Sequence, residues 1–170
     1  MAVLSGNEIR RRIEGSPPLV EDWLDLDAQV QTNGFDLTLR DIAVIQSAGR
    51  MTAAAGGRAI SSTSPLVFDG LGCIDLPAGT YIVTYNEIVH LPVDIMALGR
   101  PRSSLLRCGV TVGTAVWDAG YEGRSQSLLV VYNNLGFRLQ RNARITQLVF
   151  MELTGASEGY NGIYQRENIA

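Results

Sequence analysis

The 170-residue chain contains no lysine; all fourteen of its basic residues are arginine. That excludes Schiff-base chemistry, a lysine general base and a phosphate-binding loop of the GxxxxGK[ST] type. Histidine occurs once, at His90, and cysteine twice, at Cys73 and Cys108. These are too few for a disulfide framework or a zinc site of the usual ligand set. No apolar run approaches the ~20 residues that a bilayer requires, so no membrane span is expected. The opening MAVLSGNEIRRRIEG has no apolar core ahead of its charges, unlike a secretory leader, and a cytoplasmic location is expected. GxSxG, HExxH and the HxE with PCxxC pair of zinc deaminases are also missing. At a net charge of −3, a general nucleic-acid binder is not indicated.

What remains is an ordinary globular composition, 46% hydrophobic and 18% charged, of a length that suits one domain spanning 1–170. Ser5-Gly6-Asn7-Glu8 fits a capping box, with Glu8 reaching back, and Ile9 and Ile13 share a helical face. A short helix over 5–14 follows, ended by Gly15 and Pro17-Pro18. Beyond it the chain reads as β-structure. Short runs rich in Val, Ile, Tyr and Thr predict strands at 28–30, 36–41, 66–68, 80–85, 88–90, 94–98, 110–116, 128–132, 137–139 and 145–153. Many short strands at this spacing predict a mainly β fold of the barrel or jelly-roll kind with a short N-terminal helix. Residues 47–64 form a low-complexity insertion, expected to be a mobile surface loop; 154–170 follow the last strong strand. His90, Cys73 and Cys108 read as structural, the cysteines as buried fillers, and Trp23 and Trp117 as packing residues.

Three polar blocks stand out. In Arg100-Pro101-Arg102-Ser103-Ser104-Leu105-Leu106-Arg107, guanidinium and small hydroxyls suit a phosphate. The same block also reads as a turn and short helix capped by Ser103 or Ser104. Trp117-Asp118-Ala119-Gly120-Tyr121-Glu122-Gly123 reads as a glycine-punctuated hairpin carrying a carboxylate and an aromatic ring. In Arg144-Ile145-Thr146-Gln147, strand alternation predicts Arg144 with Thr146 on one face and Ile145 with Gln147 on the other.

In this order the blocks resemble the dUTPase and dCTP deaminase superfamily, most of all its archaeal-type dUTPases. The resemblance is carried by VQTNGFDL (30–37), PRSSLLRCG (101–109), TAVWDAGYEG (114–123), ARITQLVF (143–150) and GYNGIYQ (159–165). LSGNEIRRRI and GTYIVTYNEIVHLP are similar to the same branch. It implies a distorted jelly roll (a β-clip, dUTPase-like barrel), a homotrimer with active sites at subunit interfaces, and Mg²⁺-dependent hydrolysis of dUTP to dUMP and pyrophosphate. Asp118 matches the residue that activates the attacking water, and Tyr121 the ring against deoxyribose. Arg102, Ser103, Ser104 and Gln147 match phosphate-site positions, and Arg107 an arginine of the deaminases. Asp36 matches the aspartate that holds the metal through water. Uracil recognition falls on the main chain over 114–117, which implicates Thr114, Ala115 and Trp117. The glycine-rich C-terminal motif of dUTPases is replaced by GYNGIYQREN, so the lid is expected at 154–170, with Tyr160 or Tyr164 over the base and Gln165 and Arg166 near the substrate.

The rival implied by the same resemblance is dCTP deamination, alone or combined with dUTP hydrolysis. Deaminases place a glutamate on the strand after the hairpin, and Val130 falls nearest that position. No Asp or Glu occurs from Gly123 through Met151, and a valine moves no protons. A nucleotide-binding regulator without catalysis is a third reading, at odds with the presence of Asp118.

Overall fold

The structure is a computed structural model that describes residues 2–54 and 56–169. Its first helix, α1 (Gly6–Ile13), buries Ile9 and Ile13, as their spacing predicts. Ser5 is the N-cap and accepts from Glu8 N at 3.4 Å. The carboxylate of Glu8 does not reach back. It pairs with Arg11 and Arg12 at 2.6 and 2.7 Å, because a guanidinium offers a charged donor where the cap offers a neutral one.

After α1 come β1 (Val20–Glu21), α2 (Leu26–Gln29), β2 (Val30–Gln31), β3 (Gly34–Ile45), β4 (Thr63–Pro65), β5 (Cys73–Leu76) and β6 (Gly79–Tyr85). The chain continues as β7 (Ile88–His90), β8 (Ile95–Pro101), α3 (Ser103–Arg107), β9 (Val110–Gly113) and β10 (Val116–Trp117). It ends with β11 (Glu122–Gly123), β12 (Gln126–Val131), β13 (Phe137–Gln140) and β14 (Arg144–Glu152). The fold is mainly β, as expected. Of the strand expected at 28–30, residues 28 and 29 end α2, whose first turn is capped by Asp25 accepting from Ala28 N, and Val30 opens β2.

The main sheet runs β10-β8-β14-β3-β6-β12-β9, all antiparallel, with β2 and β4 also paired to β3. The run expected as one strand at 110–116 breaks at Thr114 and Ala115 into β9 and β10. Those two strands are the opposite edges of the seven-strand path. A two-residue connection spans at most roughly 11 Å, so the sheet must curl until its edges meet. Thr114 Oγ1 ties the corner by donating to Gly99 O at 3.2 Å. Phe35, Leu37, Leu39, Val83, Tyr85, Leu129, Leu148 and Phe150 fill the inside of the curl. Tyr85, wholly buried, shares a 2.8 Å hydrogen bond with Thr146, and burial pushes its phenol up to about 12.

Residues 47–54 and 56–62 lie beyond the β3–β4 ladder and carry its pairing further. Gln46 N donates to Ser62 O, and Arg50 and Ala59 form a two-way antiparallel bridge. A smaller sheet, β1-β7-β11, holds His90 3.3 Å from Glu21 and 3.8 Å from Glu122. Three packing expectations are corrected. Cys108 is exposed and Cys73 half-buried, and Trp23 is also exposed, whereas Trp117 is buried. The Trp23 and Cys108 side chains lie outside the curl that closes over Trp117.

Candidate active site

The candidate residues fall into two sets. The first is built on β3, β14 and β8. Asp36 lies opposite Gln147, and Gln147 opposite Arg100. Directly opposed residues of antiparallel strands point to one face, so these three side chains share it. Arg102, two residues past Arg100, brings Nε to 3.0 Å from Asp36 Oδ2. A β-bulge between Arg144 and Thr146 corrects the alternation read from sequence. The extra residue, Ile145, is buried, and Arg144 moves to the face of Gln147. Its Nη1 stands 3.4 Å from Asp36 Oδ2 and donates to Ala28 O.

Asp36 is only 1% exposed. Burial pushes its carboxyl above the usual range, while the charges of Arg102 and Arg144 oppose the shift. Ser103 and Ser104 open α3 and are exposed. Neither caps it: the N-cap is Arg102, with no side-chain capping bond. Arg107 is exposed in the last turn of the same helix.

Beside this set lies a polar network that carries no motif. Glu87, 0% exposed, accepts from Thr38 N, Thr38 Oγ1 and Gln29 Nε2 at 2.9, 2.6 and 2.6 Å. Gln29 Nε2 also donates to Asp36 O at 2.9 Å, while its Oε1 accepts from Leu24 N and Asp25 N. Burial raises the Glu87 carboxyl to about 7 despite these donors.

The second set surrounds a cavity of about 860 Å³, within the range of small-molecule sites. Ala115, Trp117, Asp118, Tyr121, Tyr160 and Tyr164 line it. Trp117 Nε1 donates to Ser125 Oγ at 2.9 Å, fixing the indole in the wall. The segment expected as a loop adds Arg50, Met51 and Ile60 to the lining. Arg50 is a lining cation that no motif marks.

The hairpin expected at 117–123 is a corner. β10 pairs with β8 and β11 with β7, so the two strands enter different sheets. Tyr121 N donates to Asp118 O at 3.0 Å across the turn, leaving the Asp118 side chain exposed at its head. Gly120 has φ +85°, and a Cβ there would lie 2.6 Å from Gly159 Cα. Only glycine admits both the backbone conformation and the tail passing above it.

That tail docks on the same chain's corner. Gln165 accepts from Glu122 N and donates to Gly120 O, both at 2.9 Å. Arg166 N donates to Glu122 O, and the Arg166 side chain lies 3.4 Å from Glu122 Oε2. Tyr160 packs edge-on against Tyr121 with ring centroids 5.8 Å apart. Glu167 forms a parallel bridge with Gly123 and accepts from the Tyr121 hydroxyl at 2.9 Å. Burial and the charge of Glu167 both push the Tyr121 phenol up, and burial raises Glu167. Glu167 thus adds a carboxylate to the cavity wall, where β12 itself carries none. Val130 itself sits half-buried on β12 between Thr80 and Thr111.

The two sets stand toward opposite ends of β8. Trp117 pairs with Ala97, and Arg102 lies five residues further along the chain from Ala97. At ~3.3 Å per residue that separates them by roughly 16 Å.

A family model described as dCTP deaminase-like matches residues 3–153. The chain is 52% identical over 169 residues to the probable deoxyuridine 5′-triphosphate nucleotidohydrolase of Methanosarcina mazei, covering 99% of each. It is 48% identical to the protein of the same description from Archaeoglobus fulgidus, again covering 99% of each. The solved 2′-deoxycytidine 5′-triphosphate deaminase from Agrobacterium tumefaciens superposes with a TM-score of 0.65 at 26% identity, covering 87% of this chain and 47% of that one. This chain therefore spans about half the length of that deaminase. From its N-terminal segment through β14, the chain belongs to the dCTP deaminase-like family.

Proposed function

We propose that the protein hydrolyses dUTP to dUMP and pyrophosphate, at sites completed between copies of itself in a homotrimer. The observation that carries this reading is the division of the polar residues. A nucleoside-sized cavity with an exposed carboxylate lies toward one end of β8, where β10 pairs with it, and an arginine-rich face lies at the other. A second copy that brings its Arg102 face to the Asp118 cavity unites them.

In that arrangement the Asp118 carboxylate takes a proton from the water attacking the α-phosphate. Its exposure at the head of the turn leaves it open to that water. Arg102 and Arg144 hold phosphate charge bidentately, with the hydroxyls of Ser103 and Ser104 and the amide of Gln147 as shorter donors. Arg107 flanks this group. The main chain of Thr114, Ala115 and Trp117 faces the base, and the Tyr121 ring packs on deoxyribose, where a 2′-hydroxyl finds no partner. Tyr160 and Tyr164 close the cavity over the base, with Gln165 and Arg166 anchoring the tail.

Among the described residues no cluster of three or more His, Cys, Asp or Glu forms a metal cage. Asp36, 1% exposed and paired on Oδ2 with both Arg102 and Arg144, does not fit the role of holding a hydrated Mg²⁺. A Mg²⁺ carried on the triphosphate oxygens would supply charge neutralisation there without a ligand from this face.

The test is product identification from dUTP, dCTP, dTTP and UTP with Mg²⁺. Dominant conversion of dUTP to dUMP and pyrophosphate is expected. Ammonia release from dCTP would transfer the assignment to deamination, with Glu167 as the carboxylate to examine first.

A further inference from the structure

The tail is held to the corner by backbone pairing, yet one of its contacts has another kind of partner. Glu167 Oε1 accepts from the hydroxyl of Tyr121, a residue only 6% exposed, at 2.9 Å. The pairing is built for. Arg124 N donates to Glu167 O, and Arg166 N to Glu122 O, so the backbone of Glu167 is fixed on both sides. Asn168 and Arg124 exchange two further bonds at 3.0 and 3.1 Å. Gly123 lies beneath: a Cβ there would sit 2.6 Å from Tyr121 Oη and 3.3 Å from Glu167 Cγ. Any larger residue at 123 displaces the phenol from the carboxylate.

We propose that Glu167 is the positioning residue for sugar selectivity: by accepting from the Tyr121 hydroxyl it fixes the ring that discriminates deoxyribose from ribose. The inference rests on the reading of the cavity as a deoxynucleotide site. A ring that merely fills space tolerates rotation about its Cβ–Cγ axis and small tilts. A ring that excludes one hydroxyl must be held to within a fraction of an ångström, because the difference between the sugars is one oxygen atom. Tyr160, edge-on at 5.8 Å, supports one side of the ring, and Glu167 fixes its far end. The selectivity element is thereby assembled only when the tail is docked, although the ring itself belongs to the corner.

The test compares kcat/KM for dUTP and UTP, and in parallel the binding of dUMP and UMP by calorimetry, in the wild type, Glu167→Ala, Glu167→Gln, Tyr121→Phe and Glu167→Ala/Tyr121→Phe. Glu167→Ala is expected to lower the dUTP:UTP preference roughly tenfold. Tyr121→Phe, which removes the other half of the same bond, is expected to match it, and the double variant to add little further. Glu167→Gln keeps an acceptor oxygen and retains most of the preference. Equal losses for both sugars in Glu167→Ala would mark Glu167 as merely structural and overturn the proposal, as would an unchanged preference. Should the wild type bind dUMP over UMP yet hydrolyse no dUTP, the proposed function falls while the binding arm still decides the role of Glu167. Should it prefer neither sugar, the inference falls with it.

Discussion

Arg102 Nε lies 3.0 Å from Asp36 Oδ2, and that carboxylate is nearly inaccessible to solvent. Arg102 is itself about a third exposed, with 30% of its side chain accessible, so one edge of its guanidinium is committed to Asp36 and another faces outward. A cation anchored in this way is preorganised for a phosphate, because the anchoring carboxylate removes side-chain freedom before substrate arrives. Arg102→Met is expected to raise KM for dUTP by at least tenfold and to cost roughly 1–2 kcal/mol of stability, since Arg144 still partners Asp36. Steady-state kinetics and urea denaturation on the same preparations check the two effects separately.

Asp118 has no such structural duty. Its side chain is exposed, and the turn is held by main-chain bonds and by Gly120. Asp118→Asn should therefore lower kcat by roughly 10²–10⁴-fold while leaving the melting temperature within a degree or two of the wild type. Retained turnover would remove Asp118 as the base.

Glu87 gives a pH signature. Its carboxyl sits near 7 in the folded protein against an ordinary value of 4.5. At low pH both states carry the proton. As pH rises between these values the unfolded chain releases it first, so stability falls through that window and levels off above about 7. The expected loss from this group is on the order of 3 kcal/mol. Asp36 and Glu167, also raised by burial, contribute with the same sign. Thermal melts from pH 4.5 to 8 should show a falling melting temperature, and Glu87→Gln should flatten much of that slope. A slope equal to the wild type's would exclude Glu87 as its source.

The β class and the helix at 6–13 are legible in the sequence because each depends on local pattern. Alternation marks β12, and Ile9 with Ile13 marks α1. Two kinds of information are not local. A bulge is one: nothing in Arg144-Ile145-Thr146-Gln147 announces that Ile145 will be absorbed, yet that single residue decides whether Arg144 faces Asp36. The other is docking of distant segments. Glu167 reaches Tyr121 across 46 positions, and Gln29 reaches Glu87 across 58. A lone glutamate in a polar tail looks like solvated charge until the chain closes. Arg50 was hidden for a compositional reason, since alanine, glycine and serine around it suggest a loop and give no sign of a cavity wall.

The separation of roughly 16 Å between the two residue sets makes a shared site testable through activity. If Asp118 of one subunit works on a phosphate held by Arg102 of another, two inactive proteins must complement each other. Asp118→Asn leaves an intact arginine face; Arg102→Ala leaves an intact cavity. After mild dissociation and reassembly of an equal mixture, random assortment gives about one site in four both native parts. Activity should therefore return to about a quarter of the wild-type level, from parents that each have nearly none. Sites built within one chain cannot produce this recovery, because every chain in the mixture carries one lesion. A mixture as inactive as its parents, with subunit exchange verified by mass, would require the Arg102 face and the Asp118 cavity to serve different ligands.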